Sequence, residues 1–164
     1  MKKITSTLFF CFLIYSSFSQ WNQQTVGNNS FTSVYFTSAT NGCAVNAAGG
    51  IYTTSNGGTN WSLQTTAGSS MYSVFFGSTN NGTAVGAGGT VMSTTDAGNT
   101  WTQNSSSQGY ALSSVFFVDA DTGYAVGNNG TIIKTINGGS LWQQRISGTI
   151  NNLNGVFFTD VNKI

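Results

Sequence analysis

The chain contains no histidine and no proline, only two cysteines, and charged side chains at just 5% of its 164 positions. Each shortage excludes something. Without histidine there is no Ser-His-Asp triad and no His-ligated metal within this sequence. Glutamate is also absent, so the carboxylates are Asp96, Asp119, Asp121 and Asp160. The cations are Lys2, Lys3, Lys134, Arg145 and Lys163, which form no basic stripe. Binding to nucleic acid, or attraction to anionic lipid, therefore has no electrostatic basis here. What remains is a surface built largely of Asn, Ser, Thr and Gln, with 21 glycines and 13% aromatic residues.

Residues 1–19 read as a signal peptide. Lys2 and Lys3 give a positive start, Ile4 to Phe18 is mostly apolar, and Ser17-Phe18-Ser19 offers small residues where a signal peptidase reads, so cleavage is expected before Gln20. The apolar stretch falls short of the about 20 residues that span a bilayer. Phe9 and Phe10 precede Cys11 where lipidation requires small residues. The expectation is a secreted, periplasmic or cell-surface protein with no membrane insertion after cleavage. Loss of the leader leaves Cys43 without a disulfide partner, and sets Lys134, Arg145 and Lys163 against four aspartates, a net charge of −1. Neighbouring repeats carry Thr83 and Tyr124 where this one has Cys43, which reads as a tolerated strand side chain.

Those repeats dominate the sequence. Trp21, Trp61, Trp101 and Trp142 are spaced 40, 40 and 41 residues apart. After each comes an aromatic segment: Val34-Tyr35-Phe36, Val74-Phe75-Phe76, Val115-Phe116-Phe117 and Val156-Phe157-Phe158. A small-residue segment follows (Gly42 to Val45, Gly82 to Gly86, Gly123 to Gly127), then a β-branched segment after a Gly-rich turn (Gly50 to Thr53, Thr90 to Ser93, Gly130 to Lys134). The Trp segment is the fourth. Short β-branched and aromatic runs bounded by Gly, Asn, Ser and Asp are strand and turn chemistry, with no helical period. Four short antiparallel strands in about 40 residues match one blade of a β-propeller. The reading is all-β: a partial propeller over 20–164, with four-stranded antiparallel blades at about 31–64, 71–104 and 112–145 and a fourth begun at 153. Because propellers close with more blades than this, the ring is expected to be incomplete.

The turn before each later Trp repeats a pattern. Its members are Asn56, Gly58 and Trp61; Asp96, Gly98 and Trp101; and Asn137, Gly139 and Trp142. The middle copy, Thr94-Thr95-Asp96-Ala97-Gly98-Asn99-Thr100-Trp101, resembles the Asp-box, or BNR repeat, of sialidases and related propellers. A short side-chain oxygen caps backbone N–H groups, Gly takes a positive φ, and Trp packs beneath. Asn replaces Asp in two copies, and an amide oxygen accepts the same bonds, so these residues read as structural. The longer pattern from Leu112 to Trp142 is similar to the photosystem II stability and assembly factor family. That resemblance implies a propeller acting as a protein-binding or assembly scaffold through a basic patch. With Arg145 the only arginine, the patch itself is not carried over.

The alternatives are a fragment of a sialidase-like or polysaccharide-degrading glycoside hydrolase, and a cell-surface adhesion repeat. Glycosidases use paired carboxylates, and sialidases a Tyr nucleophile with an arginine cluster. Asp119, Asp121 and Asp160 instead fall in loops where other repeats carry Ser38, Thr40, Ser78 and Asn80. The expectation is therefore a non-enzyme without cofactor, whose partner is another protein or a surface glycan. Asp119-Ala120-Asp121 resembles the start of a calcium loop but lacks further acidic ligands. Tyr110 and Tyr124 are candidate stacking surfaces for a sugar.

Overall fold

A computed structural model describes residues 30–104, 106 and 109–159. The signal-peptide residues, Cys11, Trp21 and Asp160 lie outside them.

The described residues form three four-stranded antiparallel sheets in sequence order. The first comprises β1 (Phe31–Phe36), β2 (Gly42–Asn46), β3 (Gly50–Thr54) and β4 (Ser62–Thr66). The second comprises β5 (Met71–Phe76), β6 (Gly82–Gly86), β7 (Val91–Thr94) and β8 (Thr102–Asn104). The third comprises β9 (Leu112–Phe117), β10 (Gly123–Gly127), β11 (Ile132–Thr135) and β12 (Gln143–Arg145). Some strand boundaries differ from the sequence reading, with Thr90 and Thr131 lying just before β7 and β11. The fourth strands begin one residue after Trp61, Trp101 and Trp142, and the indole N–H groups of Trp101 and Trp142 bond into their turns. Gly130, expected in a strand, instead closes a 3-10 turn at Asn128–Gly130, where its φ of 65° suits glycine.

The core lies between sheets. One cluster joins Cys43, Val45 and Ile51 of the first sheet to Met71, Val74, Phe76, Ala84 and Met92 of the second. The next joins Val85 and Val91 to Leu112, Val115, Phe117, Ala125, Ile133 and Trp142. Burial on both faces is complete in the second strands β2, β6 and β10, whereas the aromatic strands β5 and β9 alternate buried positions with half-buried or exposed ones. The outward face of the first sheet shows what the neighbour contributes, since Val34 is 57% exposed whereas Val74, its counterpart, is 4% exposed.

Aromatic rings knit the stack. Tyr35 packs on Phe75 at 4.7 Å, Phe75 on Phe116 at 4.8 Å, and Phe116 on Phe157 at 5.1 Å between centroids. Within each sheet the last inner-strand Phe meets its own Trp edge-on, in the pairs Phe36–Trp61, Phe76–Trp101 and Phe117–Trp142. The glycine opening each second strand makes room for that ring. A Cβ at Gly82 would lie 2.7 Å from the ring of Phe76.

A serine repeats across every junction. Ser33 Oγ accepts the Val74 N–H at 3.2 Å, Ser73 Oγ that of Val115 at 3.3 Å, and Ser114 Oγ that of Val156 at 3.3 Å. The segment after Asn152 thus continues the blade-to-blade series even though it forms no ladder, and Phe158 packs on Tyr124 at 4.7 Å.

The two kinds of contact should separate in urea denaturation of single variants. Ser73→Ala removes one partly buried hydrogen bond and is expected to lower stability by about 1 kcal/mol. Trp142→Ala empties a buried site and should lower it by about 3–5 kcal/mol. Equal losses would show that the junction depends on the serine as much as on the rings.

Candidate functional site

In the turn of the first sheet, Thr54 Oγ1 accepts the Gly58 N–H at 3.0 Å and donates to Asn56 Oδ1 at 3.0 Å, and Asn56 Oδ1 accepts the Asn60 N–H at 2.9 Å. The second sheet repeats this through Thr94, Asp96, Gly98 and Thr100, at 3.0, 2.7 and 2.9 Å. The third repeats it through Thr135, Asn137, Gly139 and Leu141, at 3.0, 2.9 and 3.0 Å. Gly58, Gly98 and Gly139 take φ of 87°, 89° and 90°. The indole N–H of Trp101 donates to Gly98 O and that of Trp142 to Gly139 O, both at 2.9 Å. Thr54, Thr94 and Thr135 with Asn56, Asp96 and Asn137 thus bond to the backbone of their own turns.

Asp96 differs from the two asparagines in charge. Its second oxygen accepts the Thr100 hydroxyl at 2.7 Å, and the Thr100 hydroxyl, the Thr100 N–H and the Thr94 hydroxyl together hold its carboxyl at about 2, below the ordinary 3.8. Asp119 is likewise lowered, because its Oδ1 accepts the N–H groups of Thr122 and Asp121. Its carboxylate is engaged by its own loop, and no group of three or more His, Cys, Asp or Glu side chains able to hold a metal occurs among the described residues. Burial pushes the Cys43 thiol up to about 12, so it is protonated and unreactive at neutral pH. Tyr124 is buried against Phe158 with Lys134 over its ring at 5.1 Å, which removes it as a stacking surface, whereas Tyr110 remains exposed.

Two concavities bear on binding. A groove of about 590 Å³ at one end of the third sheet is lined by Gln144, Arg145 and the segment from Ile146 to Asn151, with Asn129 and Gly130. Arg145 is exposed, and Ile146 is 99% exposed. A notch of about 380 Å³ lies at the opposite end of the sheets, between the turn of the second sheet and the outer strands of the first. Sequence reasoning found neither, because both are made by neighbours distant in the repeat.

No family model matches the chain, and no curated protein matches it. Solved structures do. YCF48 bound to D1 peptide superimposes with a TM-score of 0.68 at 23% identity, over 78% of this chain and 43% of that one. The computationally designed Ika4 protein gives 0.69 at 15% identity, over 82% of both chains. An ancestral GH74 enzyme gives 0.59 at 22% identity, over 70% of this chain and 18% of that one. The described residues are an open arc of β-propeller blades. At these identities the likeness is one of fold, and the chain spans less than half the length of the YCF48 chain it matches.

The Asp96 turn sets a pH expectation. A carboxyl held below its ordinary value contributes stability above 3.8 that is lost as pH falls towards about 2. Asp96→Asn reproduces the asparagine of the other two turns. It should lower the neutral-pH melting temperature, because the Thr100 hydroxyl loses its carboxylate acceptor, and flatten the loss of stability between pH 3.8 and 2, as read by melting at stepped pH. An unchanged acid profile would assign that loss to other groups.

Proposed function

We propose that this chain is an exported, non-catalytic propeller that binds another protein as an assembly scaffold, with the groove beside Arg145 as the contact. The observation that carries the reading is the fold it shares with YCF48, whose solved structure holds a D1 peptide. Lys2, Lys3 and the apolar run to Phe18 support export. The groove adds a chemical reason. Exposed Ile146 and Ile150 flank the only arginine of the chain, a pairing of apolar surface and cation that suits a peptide with an apolar side chain and a carboxylate. The turns of the Asp-box type hold the blades, leaving the groove free to vary.

The likeness to a GH74 enzyme supports a second reading, a piece of a polysaccharide-degrading propeller. The engaged carboxylates of Asp96 and Asp119 weigh against it within the described residues.

Selection from a random peptide display library on the full chain tests the scaffold reading. Enriched peptides are expected to share an apolar residue near an acidic group or a free C-terminus, and Arg145→Ala and Ile146→Asp should each weaken their binding at least tenfold. Failure to enrich any motif, or binding indifferent to both variants, would overturn it. Release of reducing ends from soluble polysaccharides would favour the hydrolase reading instead.

A further inference from the structure

The notch on the other end of the sheets has a different chemistry. It is lined by side chains of Thr, Ser, Asn and Gln, with the Cys43 thiol, the Phe76 ring and Ala97 supplying the apolar part, and it carries no charged residue. Its volume of about 380 Å³ falls in the ordinary range of small-molecule sites.

The corresponding space at the next junction is bridged. Asn104 Nδ2 donates to Ser93 Oγ at 2.6 Å and reaches across to Gly139 O at 3.0 Å, tying the outer strand of the second sheet to the turn of the third. At the first junction Gln64 stands in the place of Asn104, and its amide turns back within its own sheet, to Thr53 Oγ1 at 2.8 Å and Ser62 O at 3.3 Å. The ladders differ at the same place. β3 pairs Ile51 with Thr65 and Tyr52 with Leu63, so Gln64 is an extra residue in the ladder, whereas β7 pairs with β8 residue for residue. Bulges re-aim side chains and recur beside binding sites.

A second difference enlarges the set of free groups. Thr100 donates its hydroxyl to Asp96, but Asn60, in the same place of the first turn, makes no side-chain hydrogen bond to another described residue, and neither does Asn41. Asn99 uses its Nδ2 on Asp96 O and keeps its Oδ1. The notch thus presents uncharged donors and acceptors around a small apolar floor.

We propose that this notch binds a neutral saccharide, one or two sugar units, without cleaving it. Sugar hydroxyls donate and accept together, as carboxamides do, and the ring face of a sugar needs a limited apolar floor rather than a charge. Peptides are read by strand addition, apolar grooves or charge clusters, and the notch offers free side-chain amides instead. The site is separate from the groove beside Arg145 and does not depend on a protein partner.

The test is an array of neutral mono- to tetrasaccharides of glucose, galactose, mannose, xylose and N-acetylglucosamine probed with the full chain, followed by titration calorimetry on the best ligand. Retention of at least one neutral glycan is expected, with affinity lowered at least tenfold by Asn60→Ala and by Gln64→Ala and unchanged by Thr102→Ala on the second sheet. Melting temperatures of the variants check folding. The proposal falls if no neutral glycan is retained, if only charged glycans or peptides bind, or if both notch variants keep full affinity.

Discussion

The arrangement depends on how one inner strand sits against the next. Strands β1, β5 and β9 are edge strands, laddered on one side only, and unpaired buried N–H groups on the other side are costly. A serine from the preceding sheet accepts one of them at each junction: Ser33 for Val74, Ser73 for Val115, Ser114 for Val156. The ladder register slips just before each serine, between Phe31 and Ser33, between Met71 and Ser73, and opposite Val126 and Gly127 in the third sheet. The extra residue is Thr32 in the first sheet, and its hydroxyl crosses to Met71 O at 2.7 Å. One bulge per inner strand therefore serves both the bend of the strand and the bond to its neighbour.

With the inner strands spaced in this way, the rest of each sheet is constrained. Tyr35, Phe75, Phe116 and Phe157 come within 4.7 to 5.1 Å of one another in series, and the adjacent Phe is turned onto its own Trp. That ring fills the space over the second strand, which is why only glycine stands at 42, 82 and 123. The turn must then bring the indole under it, and the Thr-x-Asn/Asp-x-Gly bonds do so with a side-chain oxygen, whether amide or carboxylate.

These recurring elements were legible in the sequence because a repeat exposes its own constraints: a Trp, a Gly or an Asx that returns in register must be doing the same thing each time. The all-β content and the four-stranded antiparallel sheets followed from that. What was not legible is whatever depends on a difference between copies. Residues 62–64 and 102–104 align without a gap, yet Gln64 bulges and Asn104 does not, and one junction holds an open notch while the other is bridged. Tyr124, a candidate stacking surface in the sequence, packs instead against the Phe158 ring with Lys134 over it.

The same contrast bears on where binding resides in such a fold. Positions held by the repeat are occupied with backbone: Asp96 spends its oxygens on Thr94 and Thr100, and the indoles of Trp101 and Trp142 spend their N–H on Gly98 and Gly139. A group fully engaged by its own turn has nothing left for a ligand, whatever its chemistry. Free hydrogen-bonding capacity collects at the positions where copies diverge, such as Asn60 against Thr100, Gln64 against Asn104, and Arg145 with its flanking isoleucines. With so little charge in the chain, the free groups named here are neutral donors and acceptors, with Arg145 the charged exception. Those lie at the junctions between blades rather than in the motifs that build them.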